Sequence, residues 1–243
     1  AGGGERTFEL CVVYYGDAPD PPCLRAADRG LRRRGGKFPN LLAAMRAHLA
    51  YVRAFEAVLV ADDDLLLDAA AINALFRLRR ELDVWLLAPA YDARRGRSDA
   101  FDGLRRAAGA HHRLVNFVEV TAPLFRTDVL LDFMRTYSPR RHEPELVGYG
   151  IDAWFCQHLL GVDRDGGCAH PDKAAVADCV TCVNPDQTEK PGSRREIDTL
   201  QERSVRVEEW QRVVERRGPL ARCPVKVFRQ PQRWCREGGL SGR

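Results

Sequence analysis

The run Ala57-Val58-Leu59-Val60-Ala61-Asp62-Asp63-Asp64 limits the fold more than any other stretch of this chain. Five small or apolar residues lead straight into three carboxylates. The apolar part has no polar face, so it reads as a strand covered on both sides, as a central parallel strand must be. The acidic part is costly there, because three charges repel one another and gain nothing from a core. In open α/β sheets, ligands sit outside the carboxyl ends of the strands. A carboxylate cluster at such an end is a candidate site for a metal or a metal-bound phosphate. Asp68 follows as the N-cap of the next helix, so capping does not explain the triplet.

The rest of the chain alternates in the same way. Strand-like runs fall at 8–15, 83–88, 114–120 and 173–183, rich in apolar, β-branched or aromatic residues. Helical spacing lies between them. One helix enters at Lys37-Phe38-Pro39 and shows Leu41, Leu42, Met45, Leu49 and Val52 on one face. Another follows Asp68 with Ile72, Leu75, Phe76 and Leu78. A third is capped by Thr127 or Asp128 and ends near Tyr137. A fourth opens at the glycine-flanked turn before Ile151 and Asp152, and a fifth spans 197–214. Pro89 closes the 83–88 strand, and 91–113 reads as a long surface loop with room for one helical turn. His111 and His112 end that loop and are assigned to surface or substrate contact. Alternation of this kind predicts an α/β fold with a mainly parallel central sheet flanked by helices. The expected organisation is a disordered segment at 1–7, one domain at 8–217 and an irregular tail at 218–243 rich in Cys and Arg.

Composition narrows the partners. A net charge of +4 over 243 residues, with scattered arginines and no basic-aromatic cluster, argues against nucleic acid and suits a phosphorylated small ligand. No apolar run is long enough to cross a bilayer, and no signal peptide is seen. The sequence starts at Ala1, which leaves room for a membrane anchor upstream. Eight cysteines fit an oxidising lumen. Cys179 and Cys182 lie three apart in a strand-like run and point to opposite faces, so they read as structural rather than as zinc ligands.

Strand geometry puts Asp62 and Asp64 on one side with Asp63 turned away. Two carboxylates at the edge of solvent suit a hard cation, Mn²⁺ or Mg²⁺, which leaves coordination positions for substrate phosphates. Such a cation makes a diphosphate a better leaving group. Lys37 at a helix entry, and Arg194 and Arg195 after the last strand, are placed to meet phosphate. Tyr15 and Asp17 end the first strand in a Gly-Asp turn and a Pro-rich loop that suits a base or ribose.

An Asp-x-Asp motif at a strand end, in an α/β chain of this size, resembles the GT-A class of nucleotide-sugar glycosyltransferases. The run FVEVTAPLFRTDVL, followed by GYGIDAWF, is similar to an uncharacterised group of GT-A-like proteins of plants and bacteria. The resemblance covers roughly residues 8–200. It implies a single GT-A-like, Rossmann-related domain and a metal-dependent enzyme moving a hexose or pentose from a nucleotide-diphosphate donor to an acceptor hydroxyl. The acceptor would be a glycan, a protein or a small molecule. Asp62, Asp63 and Asp64 would hold metal and donor, with Tyr15, Asp17 and Lys37 on the nucleotide. Asp152 would sit where such enzymes often place the general base. Asn184 stands where many of them supply a histidine ligand, and its amide oxygen binds a hard cation more weakly. The cysteine count points to the Golgi or ER lumen, with the cytoplasm as the alternative.

Two other functions fit parts of this pattern. One is a nucleotidyltransferase on a similar sheet, although Gly16-Asp17 followed by three prolines is not a phosphate loop and no P-loop motif occurs. The other is a binding protein that keeps the fold without turnover, which Asn184 favours.

Overall fold

A computed structural model describes residues 5–94, 102–137, 150–185, 201–217 and 226–228. In chain order these form β1 (Cys11–Tyr14), α1 (Pro22–Ala26), β2 (Arg29–Arg32), α2 (Lys37–Ala47), α3 (Leu49–Arg53), β3 (Ala57–Leu59), α4 (Ala69–Leu82) and β4 (Leu86–Tyr91). A 3₁₀ turn at Asp102–Leu104 follows, then β5 (His112–Leu114), β6 (Leu124–Arg126), α5 (Thr127–Thr136), α6 (Ile151–Leu160), β7 (Ala174–Cys182), α7 (Arg203–Arg217) and β8 (Lys226–Phe228).

The class is α/β, but the sheet is mixed rather than mainly parallel. Six strands run in the order β3-β6-β4-β7-β5-β8, and β1 and β2 form a separate parallel pair. Within the six-stranded sheet only β4–β7 is parallel; the other pairings are antiparallel. The sequence pattern could not reveal this, because β6 and β8 are short segments inside stretches that read as loop or tail. The tail expected at 218–243 thus supplies an edge strand.

The strand before the carboxylates differs from expectation too. β3 is half-buried, pairs antiparallel with β6 and ends the hydrogen-bonded order of the sheet. Its ladder continues loosely beyond Leu59, where Val60 donates to the Pro123 carbonyl (2.9 Å) and Asp62 to that of Thr121 (2.9 Å). Pro123 has no N–H to return, which ends the regular pairing. The alternating run at 114–120 is mostly irregular: the Val115 amide still donates to the Ala174 carbonyl of β7, but the backbone groups of Val118 and Val120 meet side chains.

Period two is visible in the core. Leu86, Phe125, Ala174 and Val176 enter one apolar cluster with Phe38, Phe133, Trp154 and Phe155 from α2, α5 and α6. Their neighbours Leu87, Leu124, Ala175 and Ala177 enter a second cluster with Leu75 and Leu78 of α4. The sheet is therefore covered on both faces, which is why its strands are apolar throughout. Asp68 caps α4 as expected, its carboxylate accepting from the Ala71 N–H (2.8 Å). Pro89 does not close β4. The strand runs through it to Tyr91, with the register against β7 shifting between Pro89 and Ala90, the kind of irregularity where a residue without an N–H is tolerated.

Several loop expectations also change. His111 and His112 are buried, with their Nδ1 atoms 3.1 Å apart, and burial pushes both imidazoles below their ordinary pKa. Arg113 is buried beside them and pairs with Asp178, which is fully buried (Nε–Oδ2 2.8 Å). The same guanidinium donates to the carbonyls of Gly103 and Arg105, and Asp178 also accepts the Ala107 N–H. This network fastens the 102–107 segment to β5 and β7. Disorder expected at 1–7 does not extend to Glu5 and Thr7, both bonded to Asn73 of α4. Cys179 and Cys182 lie in β7 outside any disulfide, and Cys168 is in a disulfide. Cys223 and Cys235 lie outside the described residues.

Candidate functional site

The site is built on one short irregular strip, residues 118–121, onto which distant elements converge. α6 grips the strip from one side. Cys156 meets Val118 through both its N–H (3.3 Å) and its carbonyl (3.6 Å). One turn earlier on the same helix face, the Asp152 carboxylate accepts from the amides of Ala153 and Val120. α6 starts at Gly150, whose φ of 77° is a left-handed conformation that glycine adopts without strain. That turn puts Asp152 at the helix entry, where it is buried with 8% exposure. Burial raises its carboxyl to a pKa of about 6; the nearby Glu119 charge adds to the rise, and the backbone amides oppose it.

β4 reaches the strip through its last residue. The Tyr91 hydroxyl donates to Glu119 Oε2 at 2.7 Å. Tyr91 is buried, and burial followed by the Glu119 charge moves its phenol well above the ordinary value, so it remains a donor.

α2 reaches it through its first residue. Phe38 is fully buried against Phe133, Tyr137 and Phe155, with ring centroids 6.0–6.2 Å away, and this fixes the helix entry beside it. The Lys37 ammonium donates to the carbonyls of Val120 (2.6 Å) and Thr121 (2.8 Å) and pairs with Asp62 Oδ1 (2.8 Å). An ammonium has three N–H groups, so all of them are engaged. Burial lowers the Lys37 pKa, and Asp62, Glu119 and Asp64 pull it back up. Burial raises Asp62, while Lys37 opposes and Asp64 and Asp63 reinforce. Both shifts disfavour the charged forms, so desolvation outweighs the mutual attraction of the pair. The fold holds these charges together at a cost.

The triplet itself is not a strand. Asp63 and Asp64 form a turn, so the alternation expected to pair Asp62 with Asp64 does not apply. Asp62 faces Lys37, while Asp63 accepts from the Tyr15 hydroxyl (2.6 Å), which ties the end of β1 to the acidic turn. Asp64 is exposed, and its charge acts on both Lys37 and Asp62. Asn184 is brought near by a backbone bridge between Leu66 and Val183, in which the Leu66 amide donates to the Val183 carbonyl at 2.9 Å. Asp17 is exposed past Gly16 and takes no part in these contacts. Arg194 and Arg195 lie outside the described residues.

The structure therefore gathers Tyr15, Lys37, Asp62, Asp63, Asp64 and Asp152 about one strip and adds two residues that the sequence reading did not assign. Glu119 was visible as a charge inside an apolar run. Tyr91 gave no local signal, because it read as the first residue of a loop.

Among the described residues no group of three or more His, Cys, Asp or Glu is poised to hold a metal ion. The donor chemistry nevertheless fits a hard cation. Asp62 and Asp64 carry carboxylate oxygens of the kind a hard cation takes, Asn184 follows the Val183 carbonyl that is bonded to the Leu66 amide, and the Lys37 ammonium stands as a positive charge on Asp62. Such a cation would depend on a substrate diphosphate and water for its remaining oxygens. No protein-family model matches this chain, and no curated protein aligns with it significantly.

Proposed function

We propose that the chain is a GT-A-type glycosyltransferase that moves a sugar from a nucleotide-diphosphate donor to an acceptor hydroxyl. The observation that carries this reading is the convergence on residues 118–121 of an acidic strand-end turn and a separate, buried carboxylate, Asp152. Transfer between two substrates needs both: one group that handles the donor's charge and another that takes the acceptor's proton.

Asp62 and Asp64, helped by Asn184, would hold Mn²⁺ or Mg²⁺. That cation supplies neutralisation of the charge developing on the departing diphosphate. Tyr15 fixes the acidic turn by its bond to Asp63, and Lys37 fixes the strip behind it. Asp152 takes the acceptor hydroxyl proton on its carboxylate. With a pKa of about 6 it is ionised at neutral pH yet more basic than an ordinary aspartate, as a general base should be. Glu119, held by Tyr91, keeps negative charge beside it. Arg194 and Arg195 would add cations on the donor phosphates. The disulfide at Cys168 supports a lumenal, oxidising setting.

A non-catalytic binding protein is the second reading, favoured by Asn184 in place of a histidine. One experiment separates the two. In the presence of Mn²⁺, wild type should hydrolyse or transfer from at least one member of a nucleotide-sugar panel, and Asp64→Ala should abolish this. Nucleotide binding without turnover would select the second reading. Failure to bind any nucleoside diphosphate with Mn²⁺ present would remove both.

A further inference from the structure

The Lys37–Asp62 pair bears on how a metal would enter the site. Asp62 Oδ1 is 2.8 Å from Lys37 Nζ, and the two remaining ammonium bonds go to the carbonyls of Val120 and Thr121. Lys37 cannot swing away freely. It is the first residue of α2, and Phe38 beside it is fully buried. The Thr121 carbonyl also accepts from the Asp62 N–H, so the same backbone group positions the cation and the carboxylate. Asp62 is the more accessible partner, with 36% side-chain exposure against 18% for Lys37. A cation arriving from solvent therefore meets the carboxylate first and finds an ammonium already on it.

We propose that Lys37 is a tethered counter-cation that competes with divalent metal for Asp62, so that metal binds weakly alone and well only together with a diphosphate. This rests on the metal-dependent reading above. When a cation takes Asp62, the ammonium keeps its two carbonyls but loses its anion and faces a second positive charge. A diphosphate removes that penalty by bringing negative charge to both cations. Metal and diphosphate then bind cooperatively, each raising the other's affinity by the same factor. The arrangement makes loading conditional on donor and gives the ammonium N–H released from Asp62 a phosphate partner at that moment.

The test uses the full chain, Mn²⁺ followed by its electron paramagnetic resonance signal, and inorganic pyrophosphate as the diphosphate probe. Wild type should bind Mn²⁺ weakly and gain affinity when pyrophosphate is added. Lys37→Met should bind Mn²⁺ alone at least about tenfold more tightly, as expected when a like charge at contact distance is removed from a partly solvated site. Its gain on adding pyrophosphate should shrink. Lys37→Gln is the companion variant, since its amide retains N–H groups for the Val120 and Thr121 carbonyls if the methionine form fails to fold. Lys37→Arg should behave like wild type. Folded neutral variants whose Mn²⁺ affinity is unchanged or weaker would overturn the inference and leave the functional reading standing. Absence of Mn²⁺ binding in every form, with and without pyrophosphate, would overturn the metal-dependent reading and this inference with it.

Discussion

Asp152→Asn should make the protein more stable at alkaline pH while abolishing transfer. The carboxyl of Asp152 has its pKa raised from 3.8 to about 6, mainly by burial. The folded state therefore binds this proton more tightly than the unfolded chain does. Between about pH 4 and 6 folding takes up protons, so stability falls as pH rises through that window. Below it the acid is neutral in both states and no penalty applies. Above it the penalty is complete, and a rise of about two pKa units corresponds to about 3 kcal/mol. Asparagine is neutral at every pH and keeps an oxygen for the amides of Val120 and Ala153. It carries an NH₂ where the acid carries a hydroxyl, a difference that moves its stability curve equally at all pH values and leaves the slope intact. The variant-minus-wild-type difference should grow by about 3 kcal/mol from pH 4 to pH 8, which is roughly 6–12 °C in Tm for a chain of this size. Thermal unfolding of both proteins across that range measures it. A difference that stays flat with pH would refute the claim that Asp152 is a carboxylate ionised at a cost.

The other predictions concern the partners of that group and the frame around it. Glu119→Gln should lower the Asp152 midpoint only part of the way to an ordinary aspartate, because burial is the larger cause; a carboxyl-carbon NMR titration reads it, and the acidic limb of any transfer activity should move with it. Arg113→Met should destabilise by about 3–5 kcal/mol, since it strands the fully buried Asp178 charge. Urea unfolding measures that loss, and much of it should return in Arg113→Met/Asp178→Leu, which removes both charges.

How much of this was legible in the sequence depended on where each signal lived. Local chemistry was readable. Asp68 is followed by helical spacing and caps α4, and Gly150 before Ile151-Asp152 opens α6. The apolar runs that became β4 and β7 were also plain, since burial on both faces leaves nothing else for them to be, and the half-buried β1 was marked by its β-branched and aromatic residues. Strand direction was not readable. β6 is three residues long, and nothing in Leu124-Phe125-Arg126 says that it lies between β3 and β4. The alternation at 114–120 pointed to a strand because Val118 and Val120 flank Glu119, yet that pattern also fits a strip whose alternate residues serve a core and a site. The strand alternation expected across Asp62–Asp64 failed for a simpler reason: the strand stops at Leu59, and Asp63 and Asp64 form a turn.

Pro123 connects these outcomes. A strand in a regular ladder directs its N–H and C=O groups mainly at its neighbours. Pro123 has no N–H and interrupts the β3–β6 ladder just where the acidic turn begins. The Val120 carbonyl is thereby left to Lys37 from α2, which also shares the Thr121 carbonyl with the Asp62 amide, while the Val120 amide meets Asp152 from α6. A regular strand through the same residues would have bonded the Val120 groups to its neighbours. The irregularity is thus what allows a lysine, a tyrosine and separate carboxylates, far apart in sequence, to be fixed on one strip. It also accounts for the charges that the core alone does not justify. Lys37 and Asp62 are both shifted toward neutrality, and Asp152 is ionised against its burial. Charges held at such a cost in one place, beside a break in the sheet, are better explained by a ligand that offsets them than by stability.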